Sequence, residues 1–418
     1  MDADVVVVGS GMVGVGVAVA LAERGLDVAV VDPGDPRARA SFGNAGVLGR
    51  GSIFPLASPG VLRKLPAYAL GRDPSVRVRL RALPSCARWL AGFVRAANER
   101  RWRRSAAALA PFVALAPSMH EALAARSGAG QMISRSGYLR LYRDASAPAA
   151  AKTERAVLAE HGIAAEALDA ADLRALEPHL SPLFVAGLLF PQSASVDTPG
   201  ALLASYAAHA EGIGVRFVAS VARAVRQEED GVVVEIEGGR LRAGRAVIAA
   251  GVRSGPFAAA LGCAVPLVAE RGYHRTLSLA GNAVLGRPAH DAAGGYVMSP
   301  MDGGVRIHSG VELARPDDPP NHDQIDLATA EARRSLPLAG EAGETWMGSR
   351  PSTPDGLPVI GFAPRAHRVV LAFGHGHIGF ATGPLTGRLV AELLAGETPS
   401  VPLAPFAPDR FRSWRGAG

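Results

Sequence analysis

The chain opens with a strand that runs directly into a glycine turn, Val5-Val6-Val7-Val8-Gly9-Ser10-Gly11-Met12-Val13-Gly14. Few folds accept that order. Four consecutive valines suit a strand buried on both faces, Gly9 permits the tight turn, and Gly11 lets the backbone approach a pyrophosphate. Gly14 allows the following helix, expected over 13–24, to pack closely on the sheet while its N-terminal N–H groups and dipole face the phosphates. A second strand, 27–31, then delivers Asp32 to the ribose hydroxyls, 18 residues past Gly14. A carboxylate there suits an unphosphorylated ribose and repels a 2′-phosphate. The motif specifies a dinucleotide and leaves FAD and NAD undecided.

At 418 residues the chain has room for two domains or one interrupted one, and its 48% hydrophobic content supplies a substantial core. The N-terminus carries no basic region ahead of the first strand, so no signal peptide is expected. Glu23 and Arg24 cut short the longest apolar candidate, and no uninterrupted stretch approaches the ~20 residues that span a bilayer. Cys86 and Cys263 offer neither metal spacing nor a disulfide framework, and buried thiols in a reducing cytoplasm are expected. No metal site is expected.

The net charge of +6 comes almost wholly from arginine. Residues 63–104 hold about a dozen basic residues against Asp73 and Glu99, interleaved with Leu65, Tyr68, Leu70, Leu80, Leu83, Trp89, Leu90, Phe93 and Trp102. Such a stretch either presents a solvated helical face, the preferred reading, or lies on an anionic membrane surface. No recognition motif accompanies the charge, which argues against nucleic acid.

Along the chain the dinucleotide pattern is interrupted twice. Small residues, Ala40-Ser41-Phe42-Gly43-Asn44-Ala45-Gly46, lead into a Pro-rich passage read as loop, followed by helices near 85–100, 107–126 and 147–161 and a strand at 138–142. The α/β pattern returns with a helix at 199–211, a strand at 215–219 and an apolar strand ending at Ala250-Gly251. A second block, 266–345, reads as antiparallel strands at 272–277, 296–298 and 304–309 with a helix at 327–336. The last strand, 369–373, feeds Gly374-His375-Gly376-His377-Ile378-Gly379 and a helix at 383–394.

The fingerprint, the segment 40–46, Glu270-Arg271-Gly272-Tyr273-His274, the run 346–361 around Gly348-Ser349-Arg350-Pro351, and Gly374-His375-Gly376-His377 occur in one order. Together they resemble the FAD-dependent D-amino-acid oxidase and glycine oxidase superfamily, with the nearest likeness to its D-amino-acid dehydrogenase branch and the glyphosate oxidoreductase type. The resemblance covers nearly the whole chain. It implies an α/β fold, with a Rossmann-like FAD-binding domain (1–56, 197–262 and 347–418) interrupted by a mainly antiparallel α+β substrate or cap domain (57–196 and 263–346).

The resemblance also assigns residues. Gly9, Gly11, Met12, Val13, Gly14 and Asp32 would hold the ADP half of a non-covalent FAD, and Val221 would meet adenine. Ser41, Asn44, Ala45 and Gly46 would lie beside the flavin ring and pyrophosphate. Ala250 and Gly251 would close on the cofactor, and Gly376, His377, Ile378 and Gly379 would offer N–H donors to the pyrimidine edge. Arg350 is the expected clamp for a substrate carboxylate. Tyr273 and His274 alternate on one strand, and Arg271 shares a face with Tyr273, so that pair is preferred for a second contact, ahead of His274, His308, His375 and Tyr296. The implied reaction is oxidation of a C–N bond of an amino acid or secondary amine by hydride transfer to flavin N5. The imine then hydrolyses to an oxo acid plus amine or ammonia. Quinone or dioxygen would reoxidise the enzyme, in the cytoplasm or at the periphery of the inner membrane. The competing readings are an oxygen-using oxidase and an electron-transfer subunit without its own chemistry.

Overall fold

The computed structural model describes residues 1–69, 71, 73–315, 317–340 and 343–415. Leu70 of the basic stretch, residues 72, 316 and 341–342 of the expected cap segments, and 416–418 of the expected FAD-binding segment lie outside them.

Valine-rich strands buried on both faces require helices above and below, and they assemble here into a parallel sheet. Ala3–Val8 lies between Val28–Asp32 and Gly239–Ile248, with Arg216–Ala219 beyond Val28–Asp32 and Ala366–Phe373 against the far half of Gly239–Ile248, all parallel. Ala222–Gln227, Val232–Ile236 and Val359–Ala363 add antiparallel strands. Parallel strands end on the same rim. The glycine turns after Val8, Ile248 and Phe373 therefore meet there, although they are far apart in sequence.

The helix Met12–Ala22 contains no polar side chain and is buried along most of its length. It packs on the C-terminal helix Gly379–Leu394 with almost no separation, since a Cβ on Gly387 would lie 2.1 Å from the Gly16 carbonyl oxygen. Pro199–Gly212 covers it from the other side.

A second sheet of eleven strands is mainly antiparallel. Its centre is the long strand Val268–Leu279, flanked by Trp346–Ser352 on one side and by Gly304–His308 and then Tyr296–Met301 on the other. The alternation of this strand divides its residues between two environments. Tyr273 and Leu277 join Tyr296, Met298, Val305 and Ile307 in a cluster with Ile325, Ala328 and Ala332 of the helix Asp323–Ser335. The other face looks toward the rim of the parallel sheet. Trp346–Ser352 pairs here, and the next strand, Val359–Ala363, pairs in the parallel sheet.

Two local expectations change. The Pro-rich passage contains a helix, Val61–Ala69, with Pro66 inside it; Val61 and Tyr68 on its inner side pack into an apolar cluster that outweighs the proline. The helix expected over 147–161 breaks at Ala151 into Ala147–Ala150 and Lys152–Glu160. The basic stretch turns its apolar side inward: Trp89, Phe93 and Trp102 are buried, whereas Arg63, Lys64, Arg81, Arg88 and Arg95 are exposed. The helical run Glu99–Arg126 is long and apolar enough to cross a membrane by length and composition, although polar residues interrupt it, and half of its most apolar window is buried inside the fold. Trp102, Leu109, Phe112 and Leu123 from this run share a core with Met12–Ala22.

Candidate active site

Gly9 adopts φ 104°, and a Cβ on Gly14 would lie 1.9 Å from the Gly9 carbonyl oxygen, so the first helix starts hard against the turn. Gly11 at its N-cap supplies no side-chain acceptor. Ser41 Oγ accepts the Met12 N–H at 3.1 Å, which ties the segment 40–46 to the helix start beside Val13. Asp32 accepts N–H groups from Ser10 (2.9 Å) and Gly34 (3.0 Å) and pairs with Arg39 (3.0 Å). Burial pushes its carboxyl pKa up, and these donors outweigh that and hold it below the usual range. Arg39 is a neighbour that the sequence reading had not foreseen.

The remaining rim residues gather around this turn. Ala249 and Ala250 abut Gly9, and Gly251 at φ 57° leads the chain away. Val221 follows Ala219, the register partner of Asp32. Asn44 Oδ1 accepts the Gly46 N–H at 2.9 Å, folding Ala45 into a tight turn. Gly376–Ile378 forms one turn of 3-10 helix that enters Gly379–Leu394, so a second helix N-terminus faces the rim. His375 is buried and its Nε2 meets Thr386 Oγ1 at 3.0 Å.

Above the rim lies the polar face of the second sheet. His274 Nδ1–H donates to the Gly43 carbonyl at 3.1 Å, and its ring stacks on Trp346 with centroids 4.9 Å apart. Arg306 donates to the Asn44 carbonyl at 3.0 Å. Glu270 and Arg350 are register partners on this face, and Gly272 leaves the space into which the Arg350 guanidinium folds; a Cβ at 272 would lie 2.5 Å from Nη2. Arg350 makes no hydrogen bond or ion pair with any described residue. Burial pushes its pKa down, opposed only by the charge of Glu270. Burial pushes the Glu270 carboxyl up, opposed by Arg350.

A cavity opens beside this pair. Its wall includes Glu270, His377, Ser352, Phe54, Trp89 and Phe93. His377 keeps much of its own surface free and yet is desolvated enough to push its pKa down to about 4, with Arg350 adding to the effect.

The structure separates the residues expected to contact substrate. Arg350 and His377 come together, His274 lies farther along the same face beside Trp346, and Arg271 with Tyr273 lies elsewhere. The preferred pair lies on the opposite face of Val268–Leu279, because Gly272 and His274 take the side facing the rim. Arg271 is fully buried, with Nη2 donating to the Asp318 carbonyl at 2.8 Å, Nε contacting Met347 Sδ at 3.0 Å, and the Glu312 carboxylate 3.7 Å away. Tyr273 Oη donates to Glu312 at 2.5 Å; burial, with Glu312 adding, pushes its pKa up to about 12. Both are structural members of the helix-side core, as is Tyr296, which bonds to Ser335. The sequence reading had not assigned Glu270 to the cavity, nor Phe54, Trp89 and Phe93 to its wall. Among the described residues, no three metal-ligating side chains come together.

Residues 4–393 match the protein family described as FAD dependent oxidoreductase (DAO). The chain is 33% identical over 424 residues to a D-amino-acid oxidase of Bradyrhizobium diazoefficiens, covering 97% of this chain and 98% of that protein. It is 31% identical to a D-amino acid dehydrogenase 2 of Ralstonia nicotianae, covering 96% and 99%. Glycine oxidase from Geobacillus kaustophilus has the same fold, with a TM-score of 0.76, 24% identity and 98% of each chain covered. The chain therefore belongs to the FAD dependent oxidoreductase family and is an FAD-dependent enzyme acting on amino acids or amines. The residues present fit that cofactor: Gly9 and Gly14 leave no room for side chains at the turn, two helix N-termini face one rim, and a carboxylate stands at the end of the second strand.

Proposed function

We propose that this member of the FAD dependent oxidoreductase family oxidises a D-amino acid to its imine, which water hydrolyses to a 2-oxo acid and ammonia. The D configuration follows the D-amino-acid oxidase and dehydrogenase relatives, which match over nearly their whole length. The observation that carries the substrate reading is Arg350, a part-buried, desolvated cation with no hydrogen bond or ion pair among the described residues, on the face above the dinucleotide turns. An uncompensated buried charge is costly, and a substrate carboxylate in bidentate contact with the guanidinium supplies both the charge and the acceptors.

In this reading Gly9, Gly11, Met12, Val13, Gly14, Asp32 and Val221 hold the ADP half of a non-covalent FAD. Ser41, Asn44, Ala45, Gly46, Ala250, Gly251 and residues 376–379 surround the rest. When bound, the cofactor supplies the two-electron acceptor for the hydride leaving Cα. Arg350 fixes the carboxylate, and His274, held by Gly43 and Trp346, keeps that wall rigid. His377, desolvated and neutral near pH 7, adds a dipole without a competing charge. Phe54, Trp89 and Phe93 exclude water from the cavity. The FAD-binding part is assigned to 1–56, 197–262 and 353–418, and the substrate part to 57–196 and 263–352. Quinone or dioxygen reoxidises the enzyme, which resides in the cytoplasm, with any membrane contact through the exposed side of 63–104.

Anaerobic titration of the flavin bands with D- and L-amino acids, sarcosine and glycine tests the reading. Bleaching by D-amino acids is expected. Bleaching only by sarcosine or glycine would move the substrate to N-substituted or unsubstituted glycines, and bleaching by none would overturn the assignment. Mixing the reduced enzyme with dioxygen and with a soluble quinone then identifies the acceptor by rate.

A further inference from the structure

Three observations meet at Gly272. The Arg350 guanidinium lies against it without a partner. His308 stands directly opposite His274 on the neighbouring strand, with ring centroids 5.4 Å apart. It is therefore on the same face and diagonal to Gly272, a spacing of about 7–8 Å that an aromatic and a long side chain readily bridge. The third is Nε2 of His308, which has no hydrogen-bond partner among the described residues although the residue is only 5% exposed. An open nitrogen in such a place is costly unless a ligand completes it.

We propose that His308 is a second substrate-recognition residue, its Nε2–H donating to the carboxylate that Arg350 grips. The proposal rests on the Arg350 reading given above. The groups facing the ring are His274 on the central strand, Arg306 on its own strand, and Arg350. Burial, then His274, Arg306 and Arg350, hold its pKa well below the ordinary value, so the ring stays neutral and offers its proton as a dipole rather than as a charge. Arg350 attracts any anion. A neutral donor near the guanidinium recognises direction, fixing the rotation of the carboxylate and with it the position of Cα.

The test uses the FAD-loaded enzyme and three variants: His308→Phe, which keeps ring volume and removes both nitrogens, His308→Gln, which keeps a donor, and Arg350→Met. Benzoate, an unreactive carboxylate, is titrated against the flavin spectrum, and anaerobic flavin reduction is followed over a range of substrate concentration. His308→Phe is expected to weaken both benzoate and substrate binding about tenfold, with the limiting reduction rate within about threefold of wild type, and His308→Gln is expected to restore most of the loss. A purely structural histidine would not give that split or that rescue. If Arg350→Met abolishes benzoate binding while His308→Phe leaves it within about twofold, the role of His308 is refuted alone. If Arg350→Met also leaves binding intact, the carboxylate reading itself falls.

Discussion

Arg271 and Arg350 sit on adjacent paired strands, both desolvated, and differ in what surrounds them. Arg271 lies on the helix side with a carbonyl, a thioether and Glu312 around it; only Nη1 lacks a partner. Arg350 lies on the rim side, over a glycine, with no partner at all among the described residues. Protein interiors rarely leave polar groups unmet. A buried cation whose needs are answered by its own chain stabilises the fold, whereas one left open is a site for something the chain does not contain. The same contrast separates Tyr273, closed on Glu312, from His308, which remains open.

The sharpest way to break this comparison is to exchange the two arginines for methionine. Arg350→Met should lower kcat/KM about 10³-fold, the worth of two charge-assisted hydrogen bonds, with little change in unfolding free energy. Arg271→Met should do the reverse. It should cost about 3 kcal/mol in denaturant unfolding, the low end for a broken buried pair because Arg79 still holds Glu312, and activity per bound flavin should stay near wild type. Equal effects on both quantities would erase the distinction between the faces. Gly272→Ala presses a methyl group onto the guanidinium and should raise KM about tenfold or more with a smaller change in kcat.

A pH series sharpens the contrast further. Burial, then Arg306, pushes the His274 pKa down to about 3, so below about pH 6.5 the unfolded chain takes a proton that the folded one refuses. Its contribution is complete above pH 6.5 and is lost as the pH falls toward 3. Unfolding free energy should drop by about 1.4 kcal/mol per pH unit for this histidine in that window, and His274→Phe should flatten the profile by that slope. Smallest is Tyr273→Phe, expected to cost about 1 kcal/mol of stability with unchanged KM; a large rise in KM would return Tyr273 to the substrate side.

The cofactor half was legible because its chemistry is written in local order: a valine run, a glycine turn and an acid at a fixed remove need no knowledge of distant contacts. Arg350 was singled out by resemblance. The choice between Arg271–Tyr273 and Gly272–His274 was not, because a strand's alternation states that two faces exist without stating which is covered by a helix. That depended on Asp323–Ser335 packing beneath Tyr273 and Leu277. Trp89 and Phe93 were left unassigned to the cavity for a related reason. Their helix, Leu83–Ala96, reads as amphipathic with either a membrane or a core opposite its apolar side, and only the tertiary packing supplied the core.

The crossing of Met12–Ala22 with Gly379–Leu394 also bears on the order of assembly. The helix at the glycine turn and the helix that locks it in place, glycine against glycine, are separated by more than 350 residues of chain. A chain without Gly379–Leu394 has the turn but neither the second helix N-terminus nor the wall that holds the first in register. The turn is thus completed by a contact between distant parts of the chain, and the valine-rich strands around it stay uncovered until that contact forms.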